Sequence, residues 1–197
     1  MKKKLLLEVK NIRCERTSIS IFKSISFKLY SGELLVITGN NGNGKTTFLH
    51  CLAGLLPYKG VLIWKIKRKV LGYVGHKLAL KENETVIEFL EFWAKIYQIK
   101  PDVNKIIKLF ELEKILFSSI AYLSFGQKKK LAFARLYLLQ TKIWLLDEPF
   151  AGMDKNNKNL IVNLIKNHNN NKGATIISTH ESLNLINIKN NKEINIV

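Results

Sequence analysis

Three short segments of the chain are rich in apolar residues, the last of them only at its centre, and polar or glycine-rich residues flank each of them. They span residues 34–38, 143–146 and 175–178. An apolar run of four or five residues without alternation is typical of a parallel strand that is buried on both faces. We therefore predict an α/β fold in which these segments form the centre of a parallel sheet.

Shorter strands are predicted on either side of the first segment. Turns at residues 31–32 and 57–60 separate them. The predicted strands are residues 5–9, 19–22, 24–29, 61–66 and 70–74.

Helical periodicity dominates the middle of the chain. Core packing explains most of the apolar face of the first helix there, although Phe89, Phe92 and Trp93 are also candidates for a groove that binds a partner helix. We predict a single domain of residues 1–197, with an α/β core (1–75 and 141–197) and a helical insert (about 76–140). The predicted helices are residues 47–56, 85–98, 106–110, 128–140 and 157–167, and residues 167–173 are predicted to form a polar loop.

A glycine-rich loop follows the first apolar segment and precedes a predicted helix. It reads G-N-N-G-N-G-K-T and matches the phosphate-binding motif G-x-x-x-x-G-K-[ST] in the structural context that the motif requires. A dinucleotide fingerprint fits less well, because Thr47 stands where its third glycine belongs. The predicted nucleotide-binding residues of this segment are Gly39, Asn40, Asn41, Gly42, Asn43, Gly44, Lys45, Thr46 and Thr47.

Each residue type in this loop has a chemical reason to be there. Glycines let successive N–H groups point at phosphate oxygens, and the N-terminus of the helix adds its positive dipole. Lys45 supplies a positive charge for the β and γ phosphates, and Thr46 supplies a hydroxyl for Mg²⁺. The sequence therefore predicts a site for a nucleoside triphosphate and Mg²⁺.

Two carboxylates, Asp147 and Glu148, follow the apolar segment at residues 143–146. In a parallel sheet this end of the strand lies beside the phosphate loop. We predict that Asp147 holds Mg²⁺ together with Thr46, and that Glu148 orients or deprotonates the attacking water. Two acids after a strand also occur in ordinary solvated turns, but the phosphate loop favours the functional interpretation.

The segment L-S-F-G-Q, residues 123–127, precedes a helix that is apolar nearly all round. Ser124 and Gln127 fit a capping box, so helix structure explains part of this pattern. A helix N-terminus with a serine hydroxyl and a glycine amide is also a phosphate-binding surface. The lysines at residues 128–130 are expected on a solvated flank of the helix, with contact to anionic lipid as the alternative.

In their order along the chain, these motifs and the isolated His180 resemble the nucleotide-binding domains of ABC transporters, over about residues 5–182. The resemblance implies an ABC-type P-loop NTPase core with an N-terminal antiparallel β-subdomain and a helical insert that carries the signature L-S-x-G-Q. It also implies that ATP is hydrolysed with Mg²⁺ between two copies of the chain. The signature of one copy would then close over the ATP that the phosphate loop of the other copy holds.

The resemblance assigns roles to individual residues. Glu148 would be the catalytic carboxylate, and His180 would contact the γ-phosphate. The loop at residues 151–154 would cross between the two copies, with Asp154 as its anchor. The residues that face the ATP of the second copy would be Ser124, Gly126 and Gln127.

Three positions depart from the pattern of the family. Phe125 stands where glycine is commonest, so its backbone must fit without a positive φ. His76 takes the place of a glutamine that contacts Mg²⁺ and the attacking water, and it is expected to act there instead. Arg16 lies where an aromatic ring usually stacks on adenine, and its guanidinium plane is the candidate replacement.

At these and nearby positions the chain resembles one group in this family, the ATP-binding subunits of the haem exporter in cytochrome c maturation. The shared features are Y-V-G-H at residues 73–76, the non-glycine residue 125, the segment at residues 88–97 and Trp144 before L-L-D-E-P-F. This resemblance implies a CcmB-like integral-membrane permease as a partner. It places the chain at the periphery of a bacterial inner membrane on the cytoplasmic face, or on the matrix face of the mitochondrial inner membrane if the gene is organellar.

The composition adds little to this interpretation. The 197 residues include 32 Lys and Arg against 15 Asp and Glu, a formal charge of +17. Such an excess occurs in proteins that bind nucleic acid or anionic lipid, but it also arises when a chain is rich in Lys, Asn and Ile throughout. Because the lysines are scattered, no direct contact with nucleic acid is expected.

The cysteines and the N-terminus also indicate an ordinary globular chain. Cys14 and Cys51 are far apart and form no C-x-x-C, so two buried, reduced thiols are expected. The first seven residues resemble a signal peptide, but Glu8 and Lys10 interrupt the apolar stretch, so a first strand is the better interpretation. No apolar run reaches the roughly 18 residues that would cross a bilayer.

Three alternatives to a haem-export ATPase stay open in the sequence. The same ATPase can serve a transporter for lipids, peptides or metals, because nothing in this chain identifies the cargo. A soluble ABC ATPase that acts on nucleic acid or ribosomes fits the charge, although such proteins usually carry two domains or a long insert. A domain that binds ATP without cleaving it is disfavoured, because the phosphate-loop lysine and both carboxylates are present.

Overall fold

The structure is a computed structural model that describes residues 3–17, 19–66, 71–100, 102–180 and 191–196. Five of its strands form a parallel sheet, and three others form an antiparallel sheet. In chain order the strands are β1 (Leu5–Arg13), β2 (Glu15–Arg16), β3 (Ile19–Ser20), β4 (Ile25–Tyr30), β5 (Leu34–Thr38), β6 (Lys59–Trp64), β7 (Leu71–Val74), β8 (Ile143–Asp147), β9 (Ala174–Ser178) and β10 (Asn191–Asn195).

In the part of the chain that the structure describes, five α-helices cover the parallel sheet or form the middle of the chain. Two 3₁₀ turns, Glu113–Ile115 and Ile120–Tyr122, lie between the third and fourth helices. The helices are α1 (Lys45–Ala53), α2 (Val86–Ile96), α3 (Val103–Leu109), α4 (Phe125–Leu138) and α5 (Lys155–Asn170).

The parallel sheet has the strand order β10–β5–β9–β8–β7, and all of its neighbouring strands run parallel. The three apolar segments are therefore confirmed as its central strands. Alternate residues of β5 enter two different clusters, because side chains of a strand point to opposite faces. Leu35 and Ile37 pack with Phe48 of α1, whereas Leu34 and Val36 belong to the cluster that contains residues of α4 and α5.

The antiparallel sheet has the order β4–β1–β6, and β1 is its central strand. Leu7 pairs with Leu29 on one side and with Trp64 on the other. The predicted N-terminal β-structure is thus confirmed, although β1 continues to Arg13, four residues beyond the prediction. The short strands β2 and β3 form a separate hairpin.

Several predicted boundaries were wrong. The helix α1 begins at Lys45 rather than at residue 47, and it ends at Ala53 because Gly54 adopts a left-handed conformation with φ of 72°. The predicted turn at residues 57–60 is half strand, because β6 begins at Lys59. Val70, the predicted start of one strand, lies outside the described residues.

The polar loop predicted at residues 167–173 is also wrong in its first half, because α5 continues to Asn170. Asn169 explains why a polar segment stays helical here. Its side chain is 3% exposed, accepts a hydrogen bond from Thr175 Oγ1 at 2.8 Å and donates one to the Glu33 carbonyl at 3.3 Å. A buried amide with one partner on β9 and another just before β5 fixes the end of the helix against the sheet.

The lysines at residues 128–130 do not form a solvated flank as predicted. Lys129 and Lys130 are 3% and 7% exposed, so two of the three are buried in the first turns of α4. Their ammonium groups have partners: Lys129 Nζ donates to backbone carbonyls, and Lys130 Nζ pairs with Glu111 at 3.2 Å. Paired ammonium groups can be buried at a tolerable cost.

Other predictions from composition are confirmed within the described residues. Cys14 and Cys51 are buried free thiols. Phe89 is 1% exposed and packs in the core, and Trp93 packs against that core while it is only partly buried, so packing accounts for most of this helix face. Among residues 3–180 and 191–196, apart from the gaps given above, no helix combines the length and the hydropathy that crossing a bilayer requires.

Candidate functional site

The candidate site lies where the chain leaves β5. Gly39, Gly42 and Gly44 have φ angles of 141°, 86° and 93°, which side chains with a Cβ rarely adopt, so the loop can curl only with glycine at these positions. The helix α1 then begins without a side-chain cap and without an acidic residue in its first turn. The uncapped N–H groups and the helix dipole favour an anion at this point.

Lys45 lies inside this loop and is 7% exposed. Its Nζ donates hydrogen bonds to the carbonyls of Gly39 at 2.8 Å and Asn40 at 3.1 Å. An ammonium group has three donors. The lysine therefore stiffens the loop and places a positive charge at its centre, where a phosphate would lie.

Thr46 and Asp147 bring the phosphate loop to the end of β8. Thr46 Oγ1 donates to Asp147 Oδ2 at 2.8 Å, and Ser178 Oγ of β9 donates to Asp147 Oδ1 at 2.5 Å. Because Asp147 and Ser178 are paired in the register of β8 and β9, the two strands hold the carboxylate in place. The sequence prediction did not include Ser178, although its place at the end of a predicted core strand is a usable signal.

The oxygens of Thr46 and Asp147 suit Mg²⁺, which prefers hard oxygen ligands and keeps several waters and phosphate oxygens. Within the described residues, no group of three or more His, Cys, Asp or Glu side chains could hold a metal ion. Thr46 and Asp147 would supply two of the oxygen ligands, and the other ligands would be waters and phosphate oxygens of a bound nucleotide.

Glu148 follows Asp147 with an unusual backbone. Its φ is 47°, a left-handed conformation that is uncommon for residues other than glycine. Its N–H donates to Ser178 Oγ at 3.1 Å and to the Ser178 carbonyl at 3.2 Å. The side chain thereby turns out of the strand direction toward the mouth of the sheet.

Among the residues that the structure describes, His180 pairs with the Glu148 carboxylate, and its Nδ1 lies 2.8 Å from Glu148 Oε1. Burial raises the pKa of Glu148 above its ordinary value. The positive potential of His180 and Lys45 partly opposes that rise, and the Asp147 carboxylate adds to it. A carboxylate with a raised pKa is a stronger base than one free in water, which suits it to accept a proton.

The signature segment lies at the start of α4. Ser124 Oγ accepts a hydrogen bond from Gln127 N at 3.3 Å, and Gln127 Oε1 accepts one from Ser124 N at 2.8 Å, so the predicted capping box is confirmed. Phe125 avoids a positive φ, as predicted for a non-glycine residue there. Within the described residues, no hydrogen bond joins Ser124, Gly126 or Gln127 to residues 39–47.

The loop after Glu148 leads into α5. Asp154 caps that helix, because its Oδ1 accepts from Asn157 N at 2.8 Å and its Oδ2 accepts from Asn157 Nδ2 at 2.7 Å. Gly152 has a φ of 70°, and the Phe125 ring lies so close that a Cβ there would come within 2.9 Å of it. Asp154 is exposed, as are Ala151 and Gly152, so this loop and the signature share one outer edge.

The two remaining predicted site residues, His76 and Arg16, are exposed to solvent. His76 is exposed just after β7, and Arg16 is exposed in the β2–β3 hairpin, where it pairs with Ile19. Their roles toward water and adenine therefore stay predictions.

The sequence of this chain matches the ABC transporter family over residues 22–151, about two thirds of its length. The matched region contains the phosphate loop, the signature segment and both carboxylates. The chain belongs to the ABC transporter ATP-binding family. The resemblance inferred from the motifs is confirmed, and the protein is an ABC-type ATPase that binds ATP.

Within this family, the chain is similar to proteins that share one name. The chain is 36% identical over 195 residues to the cytochrome c biogenesis ATP-binding export protein CcmA of Hahella chejuensis, covering 91% of both chains. It is 35% identical to the CcmA protein of Wolbachia pipientis and 33% identical to that of Escherichia coli O157:H7, again covering about nine tenths of each chain.

Solved structures agree on the fold. An ATP-binding subunit of an ABC transporter superposes with a TM-score of 0.81 at 25% identity, covering 89% of this chain and 79% of the other. A second structure, a putative ABC transporter ATP-binding protein from Pyrococcus furiosus, gives a TM-score of 0.80 at 23% identity and covers 95% and 96% of the two chains. The α/β core with an antiparallel sheet and a helical insert is thus the ABC-type fold.

Proposed function

We propose that this chain is the ATP-hydrolysing subunit of a haem exporter for cytochrome c maturation. The observation that carries the proposal is its similarity to proteins named CcmA, at 33–36% identity over about nine tenths of both chains. The match extends along the whole domain, beyond the motifs that all ABC ATPases share.

We further propose that two copies form two composite nucleotide sites. In each site the phosphate loop of one copy binds the triphosphate through its N–H groups and Lys45, and Thr46 and Asp147 hold Mg²⁺. The bound Mg²⁺ would neutralise charge on the β and γ phosphates. The second copy supplies Ser124, Gly126 and Gln127, and its Asp154 supports the crossing loop. This arrangement explains why the signature lies on an outer edge with no hydrogen bond to its own phosphate loop.

In the proposed mechanism Glu148 accepts the proton of the attacking water as the water approaches the γ-phosphorus. The bond from that phosphorus to the β–γ bridging oxygen breaks, and ADP leaves together with inorganic phosphate. His180 lies beside the same carboxylate and would donate to a γ-phosphate oxygen from its exposed position. Positioning and charge account for most of the catalysis of phosphoryl transfer, so the fixed backbone of Glu148 matters as much as its basicity. His76 would help to orient the water, and Arg16 would stack on the adenine base.

The proposed partner is a CcmB-like integral-membrane permease. The chain would bind it at the periphery of the membrane, on the cytoplasmic face in a bacterium or on the matrix face in a mitochondrion. Partly buried Trp93 and Phe92 of α2 are the candidates for this contact, because their rings stay partly accessible while Phe89 is covered.

Co-purification tests this function. A tagged copy of the full chain is expressed in its own membranes, solubilised in mild detergent and recovered with its partners. We expect an integral-membrane protein in equal proportion, and turnover per chain that rises with protein concentration until two copies associate. Recovery with ribosomes or RNA, or with a permease for lipids, peptides or metals, would contradict the haem-export role. Turnover that is first order in a proven monomer would contradict the composite site.

A further inference from the structure

Lys129 connects the signature helix to the loop that carries the catalytic carboxylate. It lies in the second turn of α4 and is 3% exposed. Its Nζ donates to the carbonyl of Glu148 and to the carbonyl of Ala151, each at 2.8 Å. Hydrogen bonds from a charged donor are about twice as strong as neutral ones, so a buried ammonium fixes both carbonyls firmly.

Other contacts join the same two segments. The Phe125 ring lies against Gly152, and the Lys129 ammonium stands 5.5 Å from the centre of that ring. The first turns of α4 and residues 148–152 therefore form one packed unit within the chain.

The backbone of Glu148 is held from both sides. Its N–H is bonded to Ser178 of β9. Its carbonyl accepts the short, charged bond from Lys129 Nζ at 2.8 Å and a longer one from Ala151 N at 3.3 Å. The left-handed φ of 47° is unfavourable for glutamate, so it persists only while the surroundings impose it. If the carbonyl lost the Lys129 ammonium, only the longer bond from Ala151 N would hold it, so the strained peptide would relax and the carboxylate would shift from its place.

We propose that Lys129 is a positioning residue for ATP hydrolysis, which fixes the peptide of Glu148 and thereby ties the carboxylate to the signature helix. The inference rests on the proposed role of Glu148. In the proposed dimer, the signature of each copy faces the nucleotide bound to the other copy, while Glu148 acts on the nucleotide bound to its own copy. Lys129 then links the two composite sites through one side chain.

Lys130 is a matched control in the same helix. It is also buried, at 7% exposure, but its Nζ pairs with the Glu111 carboxylate at 3.2 Å. Replacing either lysine by methionine removes one buried ammonium from the same helix and keeps the aliphatic stem. Only the Lys129 change removes a hydrogen bond to Glu148.

The experiment measures phosphate release by the full chain with saturating Mg-ATP, corrected for the folded fraction. We expect Lys129→Met to lower kcat about tenfold while KM for ATP stays within twofold, because the group positions the base and does not touch phosphate. Lys129→Arg should restore at least half of the lost rate, because a guanidinium can donate to both carbonyls. Lys130→Met should leave kcat unchanged. Equal kcat in Lys129→Met and Lys130→Met would overturn the proposal.

A double-mutant cycle separates positioning from simple loss of structure. If Lys129 acts through the carboxylate, Lys129→Met should cost nothing further in a Glu148→Gln background, measured as single-turnover hydrolysis with enzyme in excess. A tenfold loss in both backgrounds would show a structural role and overturn the proposal. Full activity of Glu148→Gln alone is a distinguishable result, because it contradicts the role of Glu148 before Lys129 is considered.

Discussion

The two edges of the proposed nucleotide site differ in how far one chain completes them. At the phosphate-loop edge, Lys45 and Asp147 are 7% and 3% exposed, and each is held by two hydrogen bonds within the chain. At the signature edge, Ser124 and Asp154 are exposed, and their side chains cap the helices α4 and α5. The phosphate-loop edge is therefore assembled before a nucleotide binds, whereas the signature edge lies exposed at the surface of the single chain.

This difference follows from what burial costs. A charged group inside the protein must have partners at all times, so the phosphate-loop edge is necessarily preorganised. Polar groups at the surface are satisfied by water and by their own helix, so the signature edge stays stable without a ligand. We therefore expect substitutions at the first edge to act within one chain, and substitutions at the second edge to act through the assembly of two chains.

The largest expected effect is that of Glu148→Gln. The amide keeps the size of the side chain but cannot accept the proton of water, so turnover should fall about 10²–10³-fold. ATP binding should persist, since the phosphate loop is unchanged, and the uncleaved nucleotide should stabilise a dimer that light scattering detects. Unchanged hydrolysis would show that another group is the base.

A second large effect is expected in binding. Lys45→Met removes the buried charge at the centre of the loop, and a charged hydrogen bond contributes about 3 kcal/mol at most, which corresponds to a roughly 100-fold weaker affinity. Titration of the variant with labelled ATP measures this loss in isolated chains. The exposed Lys105 is the control, and Lys105→Met should bind ATP normally. A normal affinity in Lys45→Met would contradict the preorganised edge.

A smaller effect at the signature edge distinguishes a functional serine from a structural one. Ser124→Ala should lower turnover about tenfold without weakening ATP binding to isolated chains, because the hydroxyl would contact only the nucleotide of the partner copy. It should also cost about 1 kcal/mol of stability as a lost N-cap.

Thr85 provides the matched control for that loss. It forms the same reciprocal capping box at the start of α2, with Glu88 in place of Gln127. Thr85→Ala should cost the same stability, measured by urea denaturation, while turnover stays normal. Equal turnover in the two variants would mean that the signature serine does nothing beyond capping its helix.

The central strands and the phosphate-loop edge could be predicted from sequence because local signals determine them. An unbroken apolar run indicates a buried parallel strand, and a glycine motif before a helix indicates a phosphate loop. The register of β8 and β9 then brings Asp147 next to Ser178, a contact between residues 31 apart that no motif records.

Helix boundaries and the buried lysines could not be predicted, because distant partners decide them. Asn169 stays helical through bonds to Thr175 of β9 and to Glu33, the residue just before β5. The sequence predicts that Lys129 and Lys130 are solvated, because consecutive charged residues usually face water. Their burial depends on carbonyls and a carboxylate that only the folded chain brings within reach.

The smallest expected effect is on the pH dependence of kcat. Because burial raises the pKa of Glu148, and the base must be ionised to work, kcat should fall as the pH drops through a midpoint above the ordinary glutamate value of about 4.3. His180 opposes that rise, so His180→Gln should move the acid limb of the residual activity to higher pH, whereas Thr85→Ala should leave it in place. A pH profile of kcat for the three proteins checks both directions. If the acid limb of His180→Gln stays fixed or moves to lower pH, the histidine does not lower the pKa of Glu148. The 2.8 Å contact between the two side chains would then contribute less to the preorganised site than its length implies.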